Sequence, residues 1–141
     1  MHFVIIDGPN LNLTGTREPE VYGNSGIISY ISHLREEFQD HIIDYFQSNV
    51  EGELINLLHE YGFKADGIVL NAGGYTHTSV ALGDAVKAIA TPVVEVHISN
   101  IFSREAFRHQ SFISSGAKGV ISGFGLRSYR LAIVAFLNKE D

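Results

Sequence analysis

At 141 residues the chain is expected to form a single domain, 1–141, because domains cluster near roughly 100–150 residues. Its formal net charge of −6 argues against a general binder of nucleic acid or acidic membrane, since such surfaces need clustered cations to neutralise phosphates. Without cysteine neither a disulfide nor a thiolate metal site is available, and no apolar run is long enough for a leader or a membrane span, so the chain reads as cytoplasmic. Hydrophobic residues at 45% supply an ample core, while charged residues at 18% fall below the usual share of about a quarter. That low charge points to outer surface covered by other subunits.

The apolar run Phe3-Val4-Ile5-Ile6 reads as a buried strand. It opens into residues 7–23, a stretch rich in Gly, Asn and Pro. Structureless stretches beyond about 12 residues are uncommon in compact domains and are mostly functional or disordered. Leu11, Leu13, Val21 and Tyr22 have no use in a disordered linker, so this is read as an active-site loop. Residues 14–22 are expected to be less ordered than the rest when the site is empty.

Ile27, Ile31, Leu34 and Phe38 then recur at helical spacing, with Arg35, Glu36 and Glu37 between them. Residues 41–46 are β-prone and give a second strand. Leu54, Leu57, Leu58 and Tyr61 mark a helix ending at Gly62, read as a C′ glycine. Residues 66–70 form a near-continuous apolar strand of the kind buried on both faces, which ends in a second glycine-rich loop, 71–77. Leu82, Ala85, Val86 and Ile89 mark a third helix with Thr78 or Ser79 as N-cap. Pro92 can open a fourth strand, 92–98. A short helix over 103–109, a fifth strand at Val120 and Ile121 and a helix over 126–137 complete the chain.

Strands alternating with helices predict an α/β fold, a parallel sheet covered on both faces. Five strands in this length suit the flavodoxin-like three-layer sandwich of order 2-1-3-4-5. Its ligands bind beyond the carboxyl ends of strands one and three, where the order reverses. Both glycine-rich loops leave from those ends.

Three segments thus bring polar side chains to one edge. The first loop supplies Asn10, Asn12, Arg17 and Tyr22, and the second Asn71, Thr76 and His77. On the fourth strand a period of two puts Glu95, His97 and Ser99 on one face. A carboxylate beside a histidine fixes the ring's tautomer and favours its protonated form, as a general acid requires. The spacing alone fits a satisfied buried pair equally well. Arg104 and Arg108, four apart on the expected short helix, share a face and repel by a few tenths of a kcal/mol unless a carboxylate or anionic ligand lies between them. Such pairs are commonly solvated, but Arg17, Arg104 and Arg108 are three of the chain's six arginines, and their placement at one edge favours an anion site. Tyr22 is a weak base at an ordinary pKa near 10, but neighbouring guanidinium groups favour its phenolate. The plain alternative is a packing tyrosine. The seven histidines show neither HxxxH nor HxH, and the loops lack GxxxxGKS/T and GxGxxG, so neither a metal nor a nucleotide cofactor is expected.

Three blocks, GPNLNLTGTREPEVYG at 8–23, NAGGYTHTSVALGDAV at 71–86 and PVVEVHISNIFSREAFRHQSFIS at 92–114, followed by AKGVISGFG, span nearly the whole chain. In them the sequence resembles the type II 3-dehydroquinate dehydratases, small dodecameric enzymes of the shikimate and quinate pathways. The resemblance implies trans elimination of water from 3-dehydroquinate to give 3-dehydroshikimate, without a Schiff-base lysine, a metal or any other cofactor. Tyr22 matches the family's base, assisted by Arg17. Asn10 matches the residue that holds a water against the enolate. His97 matches the acid that protonates the departing hydroxyl, and Glu95 its orienting carboxylate. Asn71, His77, Ile98, Ser99 and Arg108 match substrate-holding positions, Arg104 another active-site arginine, and Asp84 an aspartate that reaches a neighbouring subunit's site. The implied assembly is a homododecamer, a tetramer of trimers.

Three positions depart from the family pattern. Asp7 stands where Asn is common and is expected to add negative charge near an anionic substrate. Gly83 stands where Arg is common and is expected to remove a cation near a subunit contact. Phe102 stands where many members have His. Against the lyase stand a non-catalytic flavodoxin-like module, such as a receiver or flavin carrier, and a family member that binds a related cyclitol acid without turnover.

Overall fold

The β-branched run of the first strand places alternate side chains on opposite faces of a sheet, and the computed structural model, which describes residues 1–14 and 26–138, follows that division. The strands are β1 (His2–Asp7), β2 (Ile42–Gln47), β3 (Gly67–Asn71), β4 (Val93–His97) and β5 (Gly119–Ser122). The helices are α1 (Gly26–Glu37), α2 (Glu51–Tyr61), α3 (Val80–Ala88) and α4 (Arg127–Leu137). All strand pairings are parallel, in the order β2-β1-β3-β4-β5.

Phe3 and Ile5 of β1 pack with Ile27, Ile31 and Leu34 of α1 and with Tyr129, Ala132, Ile133 and Phe136 of α4. Val4 and Ile6 pack on the other face with Leu54 and Leu58 of α2 and Leu82, Ala85 and Val86 of α3. These are the three expected layers. Each fully buried aliphatic or aromatic side chain contributes about 1.5–3 kcal/mol, so the two clusters hold the sheet edge as a rigid platform for loops.

Ser79 is the N-cap of α3, its hydroxyl accepting from the Leu82 N–H at 2.9 Å. Gly62 ends α2 but with a right-handed φ of −66°, so it is no left-handed C′ residue. Glycine is needed there because a Cβ would overlap Ile89 and the Leu58 carbonyl. The short helix expected over 103–109 is two separate 3-10 turns, Ile101–Ser103 and Ala106–His109. Arg104 lies between them in extended backbone, φ −109° and ψ −165°, so the helical i,i+4 relation to Arg108 does not exist. The expectation about order over 14–22 falls, beyond Thr14, outside the described residues.

Candidate active site

β1, β3 and β4 end at one edge in Asp7, Asn71 and His97, with Asp7 and Asn71 directly paired in register. The Gly8 N–H donates to the Asn71 backbone carbonyl at 2.7 Å, so both glycine-rich loops leave the sheet from one point. Between them and the segment after β4 lies a cleft of about 360 Å³ lined by Asn10, Asn71, His77, His97, Ile98, Ser99, Arg104 and Arg108, with Pro9, Leu11, Leu13, Thr14 and Ile101 among its walls. That size suits a small organic ligand, for which about 300–1,000 Å³ is usual.

Each lining residue is held by its own local chemistry. Asn10 has φ 70°, a left-handed conformation that Asn tolerates better than most residues, and its N–H donates to Asn49 Oδ1 at 3.0 Å. Glu95 and His97 are 1% and 5% exposed, and His97 Nε2 stands 2.5 Å from Glu95 Oε2. An ionised carboxylate can only accept, so Nε2 carries the hydrogen and Nδ1 is the ring nitrogen left for a ligand. The second oxygen, Oε1, accepts from Ser111 and Ser114 hydroxyls, both at 2.8 Å. Burial pulls the Glu95 carboxyl upward, but hydrogen bonds from His97, Ser114 and Ser111 hold it below its ordinary value.

His77 lies nearly parallel to His97, ring centroids 6.1 Å apart. Its Nδ1 is 2.6 Å from the Gln110 carbonyl, which can only accept, so Nε2 is the nitrogen without that hydrogen. Arg104 Nη1 donates to Ser99 Oγ at 3.2 Å, and Arg108 Nε to Glu105 Oε2 at 2.5 Å. Glu105 is therefore the carboxylate that relieves part of the repulsion expected between the two arginines. Asn71 donates through Nδ2 to the Tyr129 hydroxyl at 3.0 Å and accepts through Oδ1 from the Gly73 N–H at 3.2 Å.

Asp7 does not face the cleft. It is wholly buried, its carboxylate accepting from Tyr129 at 2.7 Å and from Tyr45 at 2.9 Å. The expectation that it adds charge beside a bound anion is corrected accordingly. Burial raises its carboxyl to about 7 against the opposing hydrogen bonds from Tyr129 and Tyr45. Burial and Asp7 together push the Tyr129 phenol well above its ordinary value, so it remains a hydroxyl donor. Gly83 is buried on α3. The Phe112 backbone carbonyl packs where its Cβ would lie, so this glycine lets residues 110–113 close onto α3. Phe102 is exposed and packs against His109, centroids 5.6 Å apart, outside the cleft.

Asn12 is exposed in the Leu11–Leu13 turn, and Thr76 is buried; neither lines the cleft. Asp84 is exposed on α3, also away from the cleft. Arg17 and Tyr22 lie outside the described residues. Among the described residues no group of three or more His, Asp or Glu could hold a metal ion, and no helix is long and apolar enough to cross a membrane. The sequence reading missed Ser111 and Ser114, although they stand three apart in the third motif block, and Tyr129, which carries no signal beyond its place on the buried face of the last helix.

A family model described as dehydroquinase class II matches residues 1–137. The chain is 49% identical to a 3-dehydroquinate dehydratase of Exiguobacterium sp., covering 100% of both chains, and 49% identical to 3-dehydroquinate dehydratase 1 of Agrobacterium fabrum, covering 96% of this chain and 94% of that one. Among solved structures, a type II dehydroquinase from Butyrivibrio crossotus superposes with a TM-score of 0.90 at 38% identity, covering 98% of each chain. One from Propionibacterium acnes gives 0.86 at 32% identity, covering 95% and 94%.

Proposed function

The chain belongs to the class II dehydroquinase family, and we propose that its cleft removes water from 3-dehydroquinate by trans elimination through an enolate, with Tyr22 as base and His97 as acid. The Tyr22 phenolate, assisted by Arg17, takes a proton from the carbon beside the ketone, and the electron pair moves onto the ketone oxygen. Asn10 holds a water that hydrogen-bonds this enolate oxygen. When the enolate collapses, a carbon–carbon double bond forms, the bond to the departing hydroxyl breaks, and His97 supplies the proton that turns the leaving group into water. Glu95 keeps the ring oriented through Nε2. Asn71, His77, the Ile98 and Ser99 region and Arg108 hold the substrate's carboxylate and hydroxyls, and Arg104 adds positive charge near the base.

The observation that carries this reading is the buried Glu95–His97 pair, 2.5 Å apart, in a cleft also lined by Arg104 and Arg108. Cations suit an anionic substrate, and a carboxylate-held imidazole suits proton delivery. We further propose that the chain works in the cytoplasm as a homododecamer, a tetramer of trimers. Asp84, exposed and away from its own cleft, then serves the site of a neighbouring copy. Sedimentation of the purified protein as a monomer overturns the assembly.

Purified protein mixed with 3-dehydroquinate should show rising ultraviolet absorbance from the conjugated enone, with or without a chelator. Tyr22→Phe and His97→Ala should each lower turnover by about 10²–10⁴ while leaving the fold intact. No rise overturns the activity, and wild-type turnover in either variant overturns that residue's role.

A further inference from the structure

Behind Asn71 runs a buried polar chain that no step above uses. Asp7, at the end of β1, accepts from Tyr129 of α4 and from Tyr45 of β2. The Tyr129 oxygen accepts from the Asn71 side-chain amide, and the Asn71 carbonyl oxygen accepts from the Gly73 N–H, where the turn leading to His77 begins. Asp7 and Tyr129 have no solvent exposure, so neither can find a replacement partner in water.

The polarity of this chain follows from counting hydrogens. A tyrosine hydroxyl has one. With that hydrogen given to Asp7, the Tyr129 oxygen can only accept, so only the nitrogen end of the Asn71 carboxamide can face it. The oxygen end is then turned to Gly73. Without an acceptor at position 7, the Tyr129 hydrogen has only Asn71 left to receive it, and the carboxamide must reverse and abandon Gly73. We propose that Asp7 is a positioning residue for the substrate: through Tyr129 it fixes which end of the Asn71 carboxamide faces the cleft, and it anchors the turn that carries His77. This rests on the cleft being the 3-dehydroquinate site.

Protonation of Asp7 leaves the polarity intact. The titratable groups facing it among the described residues are the phenols of Tyr129 on α4 and Tyr45 on β2; Asn71 on β3 does not titrate. Tyr45 is partly exposed, so its hydrogen can turn aside and its oxygen can accept a carboxyl proton while Oδ1 keeps the Tyr129 hydrogen. An asparagine at position 7 can do the same, accepting from Tyr129 and donating to Tyr45.

The test compares kcat, KM and thermal melts of the wild type with Asp7→Asn, Asp7→Leu and Tyr129→Phe. Asp7→Asn should keep KM within about twofold, whereas Asp7→Leu and Tyr129→Phe should raise it about tenfold with kcat changed less than about threefold. An unchanged KM in either disruptive variant, a loss confined to kcat, or a rise in Asp7→Asn equal to that in Asp7→Leu overturns the proposal. Where the disruptive variants do not fold, proton NMR of the wild type decides. A slowly exchanging Tyr129 hydroxyl proton with an Overhauser effect to the Asn71 side-chain amide supports the chain, and its absence overturns it. A wild type without turnover refutes the reading of the cleft instead, and the NMR result still judges the chain.

Discussion

Glu95 and His97 stand side by side on β4 with Oε2 and Nε2 2.5 Å apart, and the remaining carboxylate oxygen is taken by Ser111 and Ser114 from a segment beyond the strand. The imidazole is thus oriented by a carboxylate that is itself held at both oxygens, so the ring's setting depends on residues that do not line the cleft.

Replacing both serines, Ser111→Ala with Ser114→Ala, removes two hydroxyl donors from Glu95 Oε1. Each is worth about 0.5–1.5 kcal/mol, and the carboxylate gains freedom to rotate away from His97. Steady-state kinetics should show kcat lower by about tenfold with KM nearly unchanged. A change in KM alone means that the serines serve binding rather than the orientation of the acid.

Asp7 makes stability depend on pH with a sign opposite to that of a paired surface carboxylate. Its carboxyl titrates near 7 in the folded protein, against an ordinary 3.8, so between those values the folded chain binds more protons than the unfolded one. Stability attributable to Asp7 is full below about pH 4 and falls as pH rises to about 7. Asp7→Asn has no such loss. Denaturant titrations at pH 4 to 8 should show the variant gaining on the wild type across that window, up to on the order of 4 kcal/mol. A constant difference refutes the raised titration.

Gly83→Ala puts a methyl group into the Phe112 carbonyl. Residues 110–113 must move off α3 at a cost of about 1–3 kcal/mol. That segment carries the Gln110 carbonyl that holds His77 and the Ser111 hydroxyl that holds Glu95, so thermal stability and turnover should fall together. An unchanged melting temperature means that the segment is not seated on this glycine.

Arg108→Ala removes a cation from the cleft and leaves Glu105 without its partner. Because the lost charge serves binding in the proposed reaction, KM should rise by about tenfold or more, equivalent to about 1.4 kcal/mol, with a smaller effect on kcat. A fall in kcat alone assigns this arginine to the chemistry.

The layers and most of the cleft were legible because their signals are local. An alternation of two along β1 divides Phe3 and Ile5 from Val4 and Ile6, and the same period puts Glu95 and His97 on one face. The motif blocks then gathered Asn10, Asn71, His77, Ser99, Arg104 and Arg108, all of which line the cleft. The spacing argument put the two arginines on one face of a helix that is absent, since Arg104 sits between two turns.

The expectation for Asp7 erred because it concerned the surroundings of a residue rather than its periodicity. Sequence by itself determined the alternation of strand and helix, because backbone period is set by neighbours a few positions apart, and five such strands suited the sheet order that brings the loops to one carboxyl edge. Tertiary structure alone decided that Asp7 lies outside the cleft lining and meets two tyrosines, one of them 122 positions distant, and that Phe112 rests on Gly83. Such contacts arise only when separate layers pack to full density, and no local pattern encodes which buried groups then face one another.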